Sequence, residues 1–552
     1  MSLINISNLT FSYPGSYDDI FTDVSFQIDT DWKLGFCGRN GRGKTTFLNL
    51  LMGRYEYSGT ITANVEFEYF PFVIDDKNLN TLEIVEQVAP DVQLWQFQKE
   101  LFKLSVDENV LHRPFSTLSN GEQTKVLLAG LFLRENAFLL IDEPTNHLDM
   151  EARESVSRYL NSKSGYILVS HDRAFLDDCI DHILSINRTN IEVQSGNFSS
   201  WYYNKQLQDG FEIAENEKLR KDIKRLEVAA RQSSKWADKA ESVKMGKGAA
   251  AARKKGHANV GSKEYQAEKS RRMQQRRKNL ERRQQSAIEE KSGLLKNVET
   301  ADDLKIHPLK YHSSSLIYVD GLSISYDGRE VFRDLNFALD QGDRVALIGG
   351  NGSGKSSVLK LICDKTGNAT EHRVVSHRYL DIISCTKQDI ISKNNNVTLL
   401  DATLHDALSH DALSHAGHVK IASGLVISYV PQDTSFLAGD LKTFAKEQQI
   451  DESLFKAILR KLDFARVQFE KEMQDYSAGQ KKKVLIAASL CQQAHLYIWD
   501  EPLNFIDVLS RIQIEALITT FKPTMLFVEH DRTFCDNAAT KVVDLSGLTN
   551  SS

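Results

Sequence analysis

The feature that most constrains this 552-residue chain is a set of short motifs that occurs twice in the same order. Each copy begins with a glycine-rich run that fits G-x-x-x-x-G-K-[ST], at residues 38–45 and 349–356. An apolar stretch that predicts a strand precedes each run (residues 32–37 and 344–348), and a helical pattern follows it. In this context the run predicts a loop whose backbone N–H groups surround phosphate oxygens at the start of a helix. The repeat therefore predicts two phosphate-binding α/β domains.

The residue types in each loop suit a nucleoside triphosphate. A lysine at this position reaches the β- and γ-phosphates, and the hydroxyl group that follows it suits Mg²⁺. The loop residues predicted to bind the nucleotide are Gly38, Asn40, Gly41, Gly43, Lys44, Thr45 and Thr46 in the first copy, and Gly349, Asn351, Gly352, Gly354, Lys355, Ser356 and Ser357 in the second.

Each copy continues with an apolar strand that ends in an Asp-Glu pair. The Asp suits Mg²⁺ or its water shell, and the Glu suits a base that orients or polarises an attacking water. A histidine follows the Glu after 28 residues in the first copy and after 29 in the second, which favours a γ-phosphate contact, although a lone histidine after a strand is usually structural. These predicted catalytic and metal-binding residues are Asp142, Glu143 and His171, and Asp500, Glu501 and His530.

A serine and a glycine open a helix before each Asp-Glu pair. They are Ser119 and Gly121 in the first copy and Ser477 and Gly479 in the second. The N-terminus of a helix binds anions, but a short motif of this kind on its own is more often an ordinary helix cap.

Together these motifs resemble the ATP-binding cassette (ABC) superfamily, and the resemblance covers both halves of the chain. In that family they are the Walker A, signature and Walker B motifs and the switch histidine, and two cassettes pack head to tail around two molecules of ATP. The resemblance implies a site 1 that joins Lys44, Asp142, Glu143 and His171 to Ser477 and Gly479, and a site 2 that joins Lys355, Asp500, Glu501 and His530 to Ser119 and Gly121.

The resemblance assigns a few further positions. Tyr13 and Tyr326 lie where the family stacks adenine on an aromatic ring, and a buried aromatic residue is the ordinary alternative. Gln432 occupies the position of a glutamine that contacts the metal or water, whereas Phe72 stands at the corresponding position of the first cassette. We expect both sites to bind ATP with Mg²⁺ and to differ in turnover.

The spacing of the motifs locates an insertion in the second copy. The two Walker A lysines are 311 residues apart, whereas the two signature serines are 358 apart, so the second copy gains about 47 residues after its Walker A loop. We place the insertion at about 366–420. The histidines of its tandem repeat at 405–415 are five residues apart and do not share one face of a helix, which argues against a metal cluster. We interpret the repeat as a solvated surface hairpin or helix.

Composition excludes several classes of protein. No run of 18 or more apolar residues occurs, which argues against a transmembrane helix, and the first residues do not resemble a signal peptide. The six cysteines have no paired spacing and are interpreted as free thiols of a reducing cytosol. We therefore expect a cytoplasmic protein.

The segment between the two cassettes is rich in good helix formers and strongly basic. From residue 231 to residue 283 it contains 17 Lys and Arg against 5 Asp and Glu, a net charge of +12 in a chain whose net charge is −6. A charge run is usually a solvated helix face, but this concentration in an otherwise acidic chain favours a nucleic-acid backbone as partner. We predict a helix, a loop and a return helix at about residues 207–244, 245–261 and 262–296.

Two cassettes joined by a charged helical hairpin resemble the ABC-F proteins, which act on the ribosome. The segment at 502–507, Pro-Leu-Asn-Phe-Ile-Asp, and the long hairpin resemble the antibiotic-resistance branch typified by the Lsa, Vga and VmlR proteins. The resemblance implies a monomer whose own cassettes close on ATP and which binds the ribosome near its E site. The hairpin would contact 23S rRNA and the P-site tRNA and displace lincosamides, pleuromutilins or group A streptogramins.

Two other functions fit the same motifs. One is a housekeeping ABC-F translation factor that rescues stalled ribosomes, and the other is the ATPase subunit of a membrane exporter, which leaves the charge of the hairpin unexplained. In each case we expect a first cassette at residues 1–204, a linker at 205–300 and a second cassette at 301–552.

Overall fold

The computed structural model describes residues 2–14, 19–90, 92–146, 148–186, 191–252, 282, 308–326, 329–365, 413–464 and 466–548. The strands of the first cassette are β1 (Leu3–Phe11), β2 (Phe21–Asp29), β3 (Lys33–Cys37), β4 (Ser58–Thr62), β5 (Glu66–Phe70), β6 (Ala137–Asp142), β7 (Tyr166–Val169), β8 (His182–Ile186) and β9 (Ile191–Ser195). Its helices are α1 (Lys44–Leu51), α2 (Thr81–Val88), α3 (Leu94–Lys103), α4 (Asn120–Leu131), α5 (Met150–Asn161) and α6 (Arg173–Cys179).

A long helix, α7 (Phe198–Ala252), follows the first cassette. The strands of the second cassette are β10 (Ser315–Tyr326), β11 (Arg329–Asp340), β12 (Arg344–Ile348), β13 (Leu413–Ile421), β14 (Ile427–Val430), β15 (Leu496–Asp500), β16 (Met525–Val528) and β17 (Lys541–Asp544). Its helices are α8 (Lys355–Lys365), α9 (Leu441–Glu447), α10 (Glu452–Lys461), α11 (Ala478–Cys491), α12 (Val508–Phe521) and α13 (Arg532–Ala538).

A central parallel sheet positions the motifs of each cassette. The strand order is β5-β6-β7-β3-β8-β9 in the first cassette, where β9 runs antiparallel to β8, and β14-β15-β16-β12-β17 in the second. The strands before the Walker A loop, the Asp-Glu pair and the switch histidine are neighbours in both sheets. Because the carboxyl ends of parallel strands meet at one edge of a sheet, the three motifs meet there. The predicted α/β fold with two similar cassettes is confirmed.

An antiparallel sheet covers each Walker A helix. Its strand order is β2-β1-β4 in the first cassette and β11-β10-β13 in the second. In the first cassette, Phe21 of this sheet, Phe36 of β3 and Phe47 of α1 share one buried core. Burial of side chains of this size stabilises the fold by roughly 2–3 kcal/mol each, so the Walker A helix is held firmly between the two sheets.

The linker helix is longer than the sequence predicts. Its first turn packs on the first cassette through buried Phe198 and Trp201, and the Asn197 side chain caps it by accepting a hydrogen bond from the Ser200 backbone N–H at 3.1 Å. The helix begins nine residues before the predicted start and continues to Ala252, so residues 245–252, predicted as loop, are helical. The alanines at 249–252 are strong helix formers, which explains the extension. The predicted return helix lies outside the described residues.

The predicted insertion is too long at its C-terminal end. Residues 413–421 form β13, which pairs antiparallel with β10 just as β4 pairs with β1, so they belong to the cassette itself. The end of the tandem repeat, including His415, therefore lies in a strand and not in a separate surface element. The rest of the insertion, residues 366–412, lies outside the described residues. The described part of the chain groups into one unit that contains both cassettes and a second unit that begins at Tyr202.

Candidate functional site

Each Walker A loop depends on the glycine that precedes its lysine. Gly43 and Gly354 have φ values of +96° and +87°, in the left-handed region. A Cβ atom at these positions would lie 2.7 Å from Ile20 and 2.9 Å from Phe332. Both the backbone conformation and the lack of space therefore require glycine.

The two Walker A lysines are buried inside their own loops. Lys44 Nζ donates to the Gly38 carbonyl oxygen at 2.7 Å, and Lys355 Nζ donates to the Gly349 carbonyl oxygen at 2.8 Å. Burial lowers the pKa of both ammonium groups, and the carboxylates around each site oppose this shift. The other predicted loop residues lie in the same two loops, and Gly41 and Gly352 also have positive φ values.

The hydroxyl group after each lysine contacts the Asp at the end of the neighbouring strand. Thr45 Oγ1 donates to Asp142 Oδ2 at 3.2 Å, and Ser356 Oγ donates to Asp500 Oδ1 at 3.1 Å. The described residues include no cluster of three or more acidic, His or Cys side chains suited to a metal. One hydroxyl and one carboxylate nevertheless fit Mg²⁺, which usually completes its shell with phosphate oxygens and waters.

The two Glu residues after these Asp residues share an unusual backbone conformation. Glu143 and Glu501 have φ values of +52° and +45°, and the backbone N–H of each donates to the last residue of the neighbouring strand, Val169 O at 2.9 Å or Val528 O at 3.0 Å. Non-glycine residues rarely adopt this conformation, and such strain concentrates at functional sites. The surrounding sheet therefore fixes the origin of both carboxylates.

The carboxylate of Glu501 is held from several sides. Its Oε2 atom accepts hydrogen bonds from Gln432 Nε2 at 2.7 Å and from Asn504 Nδ2 at 2.6 Å, and His530 Nε2 lies 3.4 Å from Oε1. Burial alone would raise the pKa of Glu501, but His530, Gln432 and Lys355 outweigh it, and the pKa is lowered. The predicted catalytic residues of the second cassette thus meet in one cluster.

The carboxylate of Glu143 has a different environment. His171 Nε2 lies 3.1 Å from its Oε1 atom. Burial raises the pKa of Glu143 to about 8, with Asp142 adding to the rise, and burial lowers the pKa of His171 well below its ordinary value. A Tyr69 hydroxyl donates to Asp142 Oδ2 at 2.9 Å. The two Asp-Glu pairs therefore share a backbone but not their side-chain partners.

The two predicted adenine-stacking tyrosines occupy equivalent positions. The hydroxyl groups of Tyr13 and Tyr326 lie 2.8 Å from the side-chain hydroxyl groups of Thr46 and Ser357, respectively. Tyr13 is 40% exposed, so the alternative of an ordinary buried aromatic does not apply to it. Stacking on adenine remains a prediction.

Site 1 combines residues of both cassettes. Asn40 Nδ2 in the first Walker A loop donates to the Phe505 carbonyl oxygen of the second cassette at 2.9 Å. A Cβ atom on Gly479 would lie 3.3 Å from Asn40 Nδ2 and 2.3 Å from the Phe505 carbonyl oxygen, so glycine permits this approach. Ser477 caps α11, the helix that contains Gly479, and accepts a hydrogen bond from the Gln480 backbone N–H at 3.3 Å. Both the ordinary cap and the implied contact between cassettes are therefore present.

Site 2 is also lined from both cassettes. Asp149 of the first cassette lies beside the second Walker A loop, because its Oδ2 atom would be 3.7 Å from a Cβ atom on Gly350. Ser119 caps α4 as Ser477 caps α11, and Gly121 packs against Leu148, next to Asp149. The signature residues of the first cassette thus flank the segment that reaches the second Walker A loop.

Residues that the motif analysis missed connect these groups. Lys483 forms a buried ion pair with Asp507 at 2.8 Å, and Arg153 donates to the backbone carbonyl oxygen of His530 across the cassettes at 3.1 Å. Asp149 and Asp507 have the same 358-residue offset as the signature serines, and so do Arg153 and its counterpart Arg511. The shared offset of 358 residues is the feature of the sequence that could have identified these two pairs.

Comparison with known proteins identifies the family. The model of the family described as ABC transporter matches residues 21–146 and 332–504, more than half of the chain. The chain belongs to this family. Cassettes of this family hydrolyse ATP, and the chain is an ATPase, as predicted. No helix in the described ranges has the length and apolar character needed to span a membrane.

Individual relatives resemble the chain over nearly its whole length. The ribosome protection protein VmlR of Bacillus subtilis (strain 168) is 25% identical over 551 residues, which cover 99% of this chain and 87% of that protein. The ATP-binding protein Uup of Buchnera aphidicola subsp. Acyrthosiphon pisum (strain APS) is 25% identical over 573 residues, which cover 98% of this chain and 80% of that protein. The predicted resemblance to ABC-F proteins is confirmed.

A solved structure shows the same fold. The chain matches the complex of archaeal ribosomal stalk protein aP1 and archaeal ribosome recycling factor aABCE1 with a TM-score of 0.56 and 17% identity. The match covers 97% of this chain and 87% of that one. This likeness concerns the fold alone.

Proposed function

We propose that this ATPase binds the ribosome and protects it from drugs that act at the peptidyl transferase centre. The observation that carries the proposal is the head-to-tail contact within one chain, in which Asn40 of one Walker A loop meets Phe505 and Gly479 of the other cassette. Such a chain closes on ATP without a second copy. Similarity to VmlR over 99% of the chain supports ribosome protection as the purpose of that closure.

In this proposal ATP binds at two composite sites with the predicted residue roles. The Walker A loops and their lysines bind the phosphates, and Tyr13 and Tyr326 stack on adenine. Ser477 and Gly479 complete site 1, and Ser119 and Gly121 complete site 2. The hydroxyl–carboxylate pairs described above would hold Mg²⁺, with Gln432 as a further ligand at site 2; the ion supplies charge neutralisation for the phosphates.

The glutamates act as bases in the proposed reaction. Each carboxylate orients a water for attack on the γ-phosphate, and the switch histidine contacts that phosphate. Glu501 is ionised, and two side-chain amides donate hydrogen bonds that fix its carboxylate. Both properties suit it to orient the attacking water. Glu143 is fixed by its backbone, with His171 Nε2 3.1 Å from its Oε1 atom, and because burial raises its pKa to about 8 it serves as a base only in its deprotonated form.

The linker provides the proposed contact with nucleic acid. Its net charge of +12 is concentrated between residues 231 and 283, while the rest of the chain is acidic. Binding to phosphates releases counterions, so this segment favours a partner with a phosphate backbone. In the proposal, that partner is 23S rRNA together with the P-site tRNA, and the drugs displaced are lincosamides, pleuromutilins or group A streptogramins.

The first test traps the closed form. Glu143→Gln combined with Glu501→Gln should abolish ATP turnover and keep ATP binding, because the amide retains the shape of the side chain but is not a base. With ATP, the double variant should co-sediment with ribosomes from a cell lysate, and the parent should do so less. Sedimentation with membranes instead would favour the exporter ATPase, and an unchanged turnover would contradict the assignment of the bases.

The second test separates drug protection from housekeeping. Cells that express the parent should tolerate higher concentrations of peptidyl-transferase drugs than cells with empty vector, and cells that express the double variant should not. If the parent raises no inhibitory concentration, the housekeeping translation factor replaces the resistance function.

A third test concerns the basic linker. Neutralising Arg271, Arg272, Arg276, Arg277 and Lys278 should weaken ribosome binding and flatten its salt dependence.

A further inference from the structure

A buried lysine in the signature helix of the second cassette contacts the catalytic groups of site 2. Lys482 lies on α11 and is only 2% exposed. Its Nζ atom donates to the Pro431 carbonyl oxygen at 2.8 Å and to the Asp500 carbonyl oxygen at 3.2 Å. These two peptide groups belong to different elements, the segment after β14 and the end of β15.

The position of these two carbonyl groups gives the contact its significance. Pro431 directly precedes Gln432, and Asp500 directly precedes Glu501. The side chains of Gln432 and Glu501 are themselves hydrogen-bonded at 2.7 Å. One ammonium group therefore fixes both backbone segments from which this pair extends, and it can do so because an ammonium has three donors that point in different directions.

Burial of a lysine without a role is costly. Taking an ammonium out of water is unfavourable unless it is paired and hydrogen-bonded. The carboxylates whose charges favour the ammonium are Asp500, Glu501, Glu529 and Asp433, and they come from three segments of the second cassette. The first cassette has Thr124 at the corresponding position, 358 residues earlier, and its side chain is too short for the same contact.

The geometry points to Lys482 as a positioning residue for ATP hydrolysis at site 2, which holds the Gln432–Glu501 pair in its working arrangement. It acts through backbone carbonyl groups and does not touch the nucleotide. The inference rests on the proposed role of Glu501, and it concerns site 2 only, because Thr124 replaces the lysine in the first cassette. Loss of the ammonium should therefore lower kcat at site 2 and leave the KM for ATP nearly unchanged.

The test isolates site 2 by working in the Glu143→Gln background of the full chain. Lys482→Met keeps the length of the side chain and removes its donors, and it should lower kcat about ten- to a hundredfold, because a catalytic group misplaced by about 1 Å can cost about a hundredfold. The KM for ATP should change less than twofold. Lys481→Met removes the same charge from the preceding residue of the helix, and its kcat should equal that of the Glu143→Gln background.

A double-mutant cycle tells positioning from general damage. If Lys482 acts through Gln432, combining Lys482→Met with Gln432→Ala should lower kcat no further than the more severe single change, because coupled residues are not additive. Effects that multiply would show two independent roles and overturn the inference. Lys482→Gln, which keeps an N–H donor, should retain more kcat than Lys482→Met and serves as the test if the latter does not fold.

The control for the underlying site is Glu501→Gln in the same background. If it leaves turnover intact, the proposed base is wrong, whatever Lys482 does. If it abolishes turnover while Lys482→Met leaves kcat unchanged, the proposed site stands and the inference about Lys482 is wrong.

Discussion

Glu100 provides a quantitative test of how α3 is attached to the rest of the first cassette. Its side chain is 7% exposed; Oε1 accepts a hydrogen bond from Lys103 Nζ at 2.7 Å, and Oε2 accepts one from Lys163 Nζ at 2.6 Å. Glu100 and Lys103 lie on α3, whereas Lys163 lies between α5 and β7. We predict that Glu100→Gln, which keeps the shape and removes the charge, destabilises this cassette.

The size of the effect follows from the pKa of Glu100. Burial alone would raise this pKa, but the hydrogen bonds from Lys103 and Lys163 outweigh burial and lower it from 4.5 to about 2. At 1.36 kcal/mol for each pKa unit, a fall from 4.5 to about 2 corresponds to about 3 kcal/mol in the free energy of unfolding. Because the pKa is lowered on folding, this contribution is complete above pH 4.5 and is lost as the pH falls toward 2.

Urea unfolding of the full chain measures this contribution. At pH 7, the transition that includes the first cassette should shift to lower urea by about 1 M in Glu100→Gln, given a slope of about 2–3 kcal/mol per M. Trp201, which is buried where α7 packs on this cassette, provides a fluorescence probe because its indole becomes exposed on unfolding. The difference between parent and variant should shrink when the same measurement is made near pH 3.

A matched variant excludes a general effect of removing a carboxylate. Glu86 on α2 is exposed, and Glu86→Gln should change the free energy of unfolding by less than about 0.5 kcal/mol. Equal midpoints for the parent and Glu100→Gln at pH 7 would refute the reasoning. So would a difference that is the same at pH 7 and at pH 3.

Further predictions concern the two ATP sites. Asp463→Asn removes one partner of Arg39 and Arg42, whose guanidinium groups lie 3.5 and 3.7 Å from Asp463 Oδ1. At less than about 1 kcal/mol for each pair, the change should raise the KM for ATP of site 1 two- to fivefold in the Glu501→Gln background, and an unchanged KM contradicts this. Phe72→Gln in the same background should raise kcat at site 1, because it restores the missing amide, and a lower kcat would show that the ring itself is needed. Chelation of Mg²⁺ should abolish turnover at both sites, and activity that survives an excess of chelator would exclude the assigned metal ligands.

The scaffold of both sites follows from the sequence because its determinants are local. A glycine with positive φ before a lysine, and a strand that ends in Asp-Glu, are each encoded within a few residues. The predicted strands at 32–37 and 344–348 correspond to β3 (Lys33–Cys37) and β12 (Arg344–Ile348), and the Asp-Glu pairs end β6 and β15 as predicted. Positions of this kind need no knowledge of distant contacts.

The partners of the catalytic residues do not follow from local sequence. Asn40 and Phe505 are 465 residues apart, and nothing in either segment indicates that an amide would meet that carbonyl oxygen. Lys482 appears in the sequence as one of three consecutive lysines after a signature motif, which suggests a solvated helix end. Its burial depends on how α11 packs against β14 and β15, and only the structure supplies that information.

The predicted C-terminal boundary of α7 is wrong for a different reason, because local sequence is given too much weight. Glycines at 246 and 248 predict a loop when propensity is considered residue by residue, since each costs up to about 1 kcal/mol in a helix. The four alanines that follow offset part of this cost, and the helix continues through the segment. Propensity over a longer window gives the better prediction here.

The difference between the two ATP sites is concentrated in residues that the repeat does not share. Both glutamates leave the sheet with similar positive φ values, so this backbone conformation does not distinguish the sites. At site 2, Gln432 donates to the glutamate and Lys482 donates to the carbonyl groups of Pro431 and Asp500, the residues that precede Gln432 and the glutamate, whereas site 1 has Phe72 and Thr124 in place of Gln432 and Lys482. The repeated motif thus predicts that a site exists, and we expect the unrepeated residues around it to set its rate of turnover.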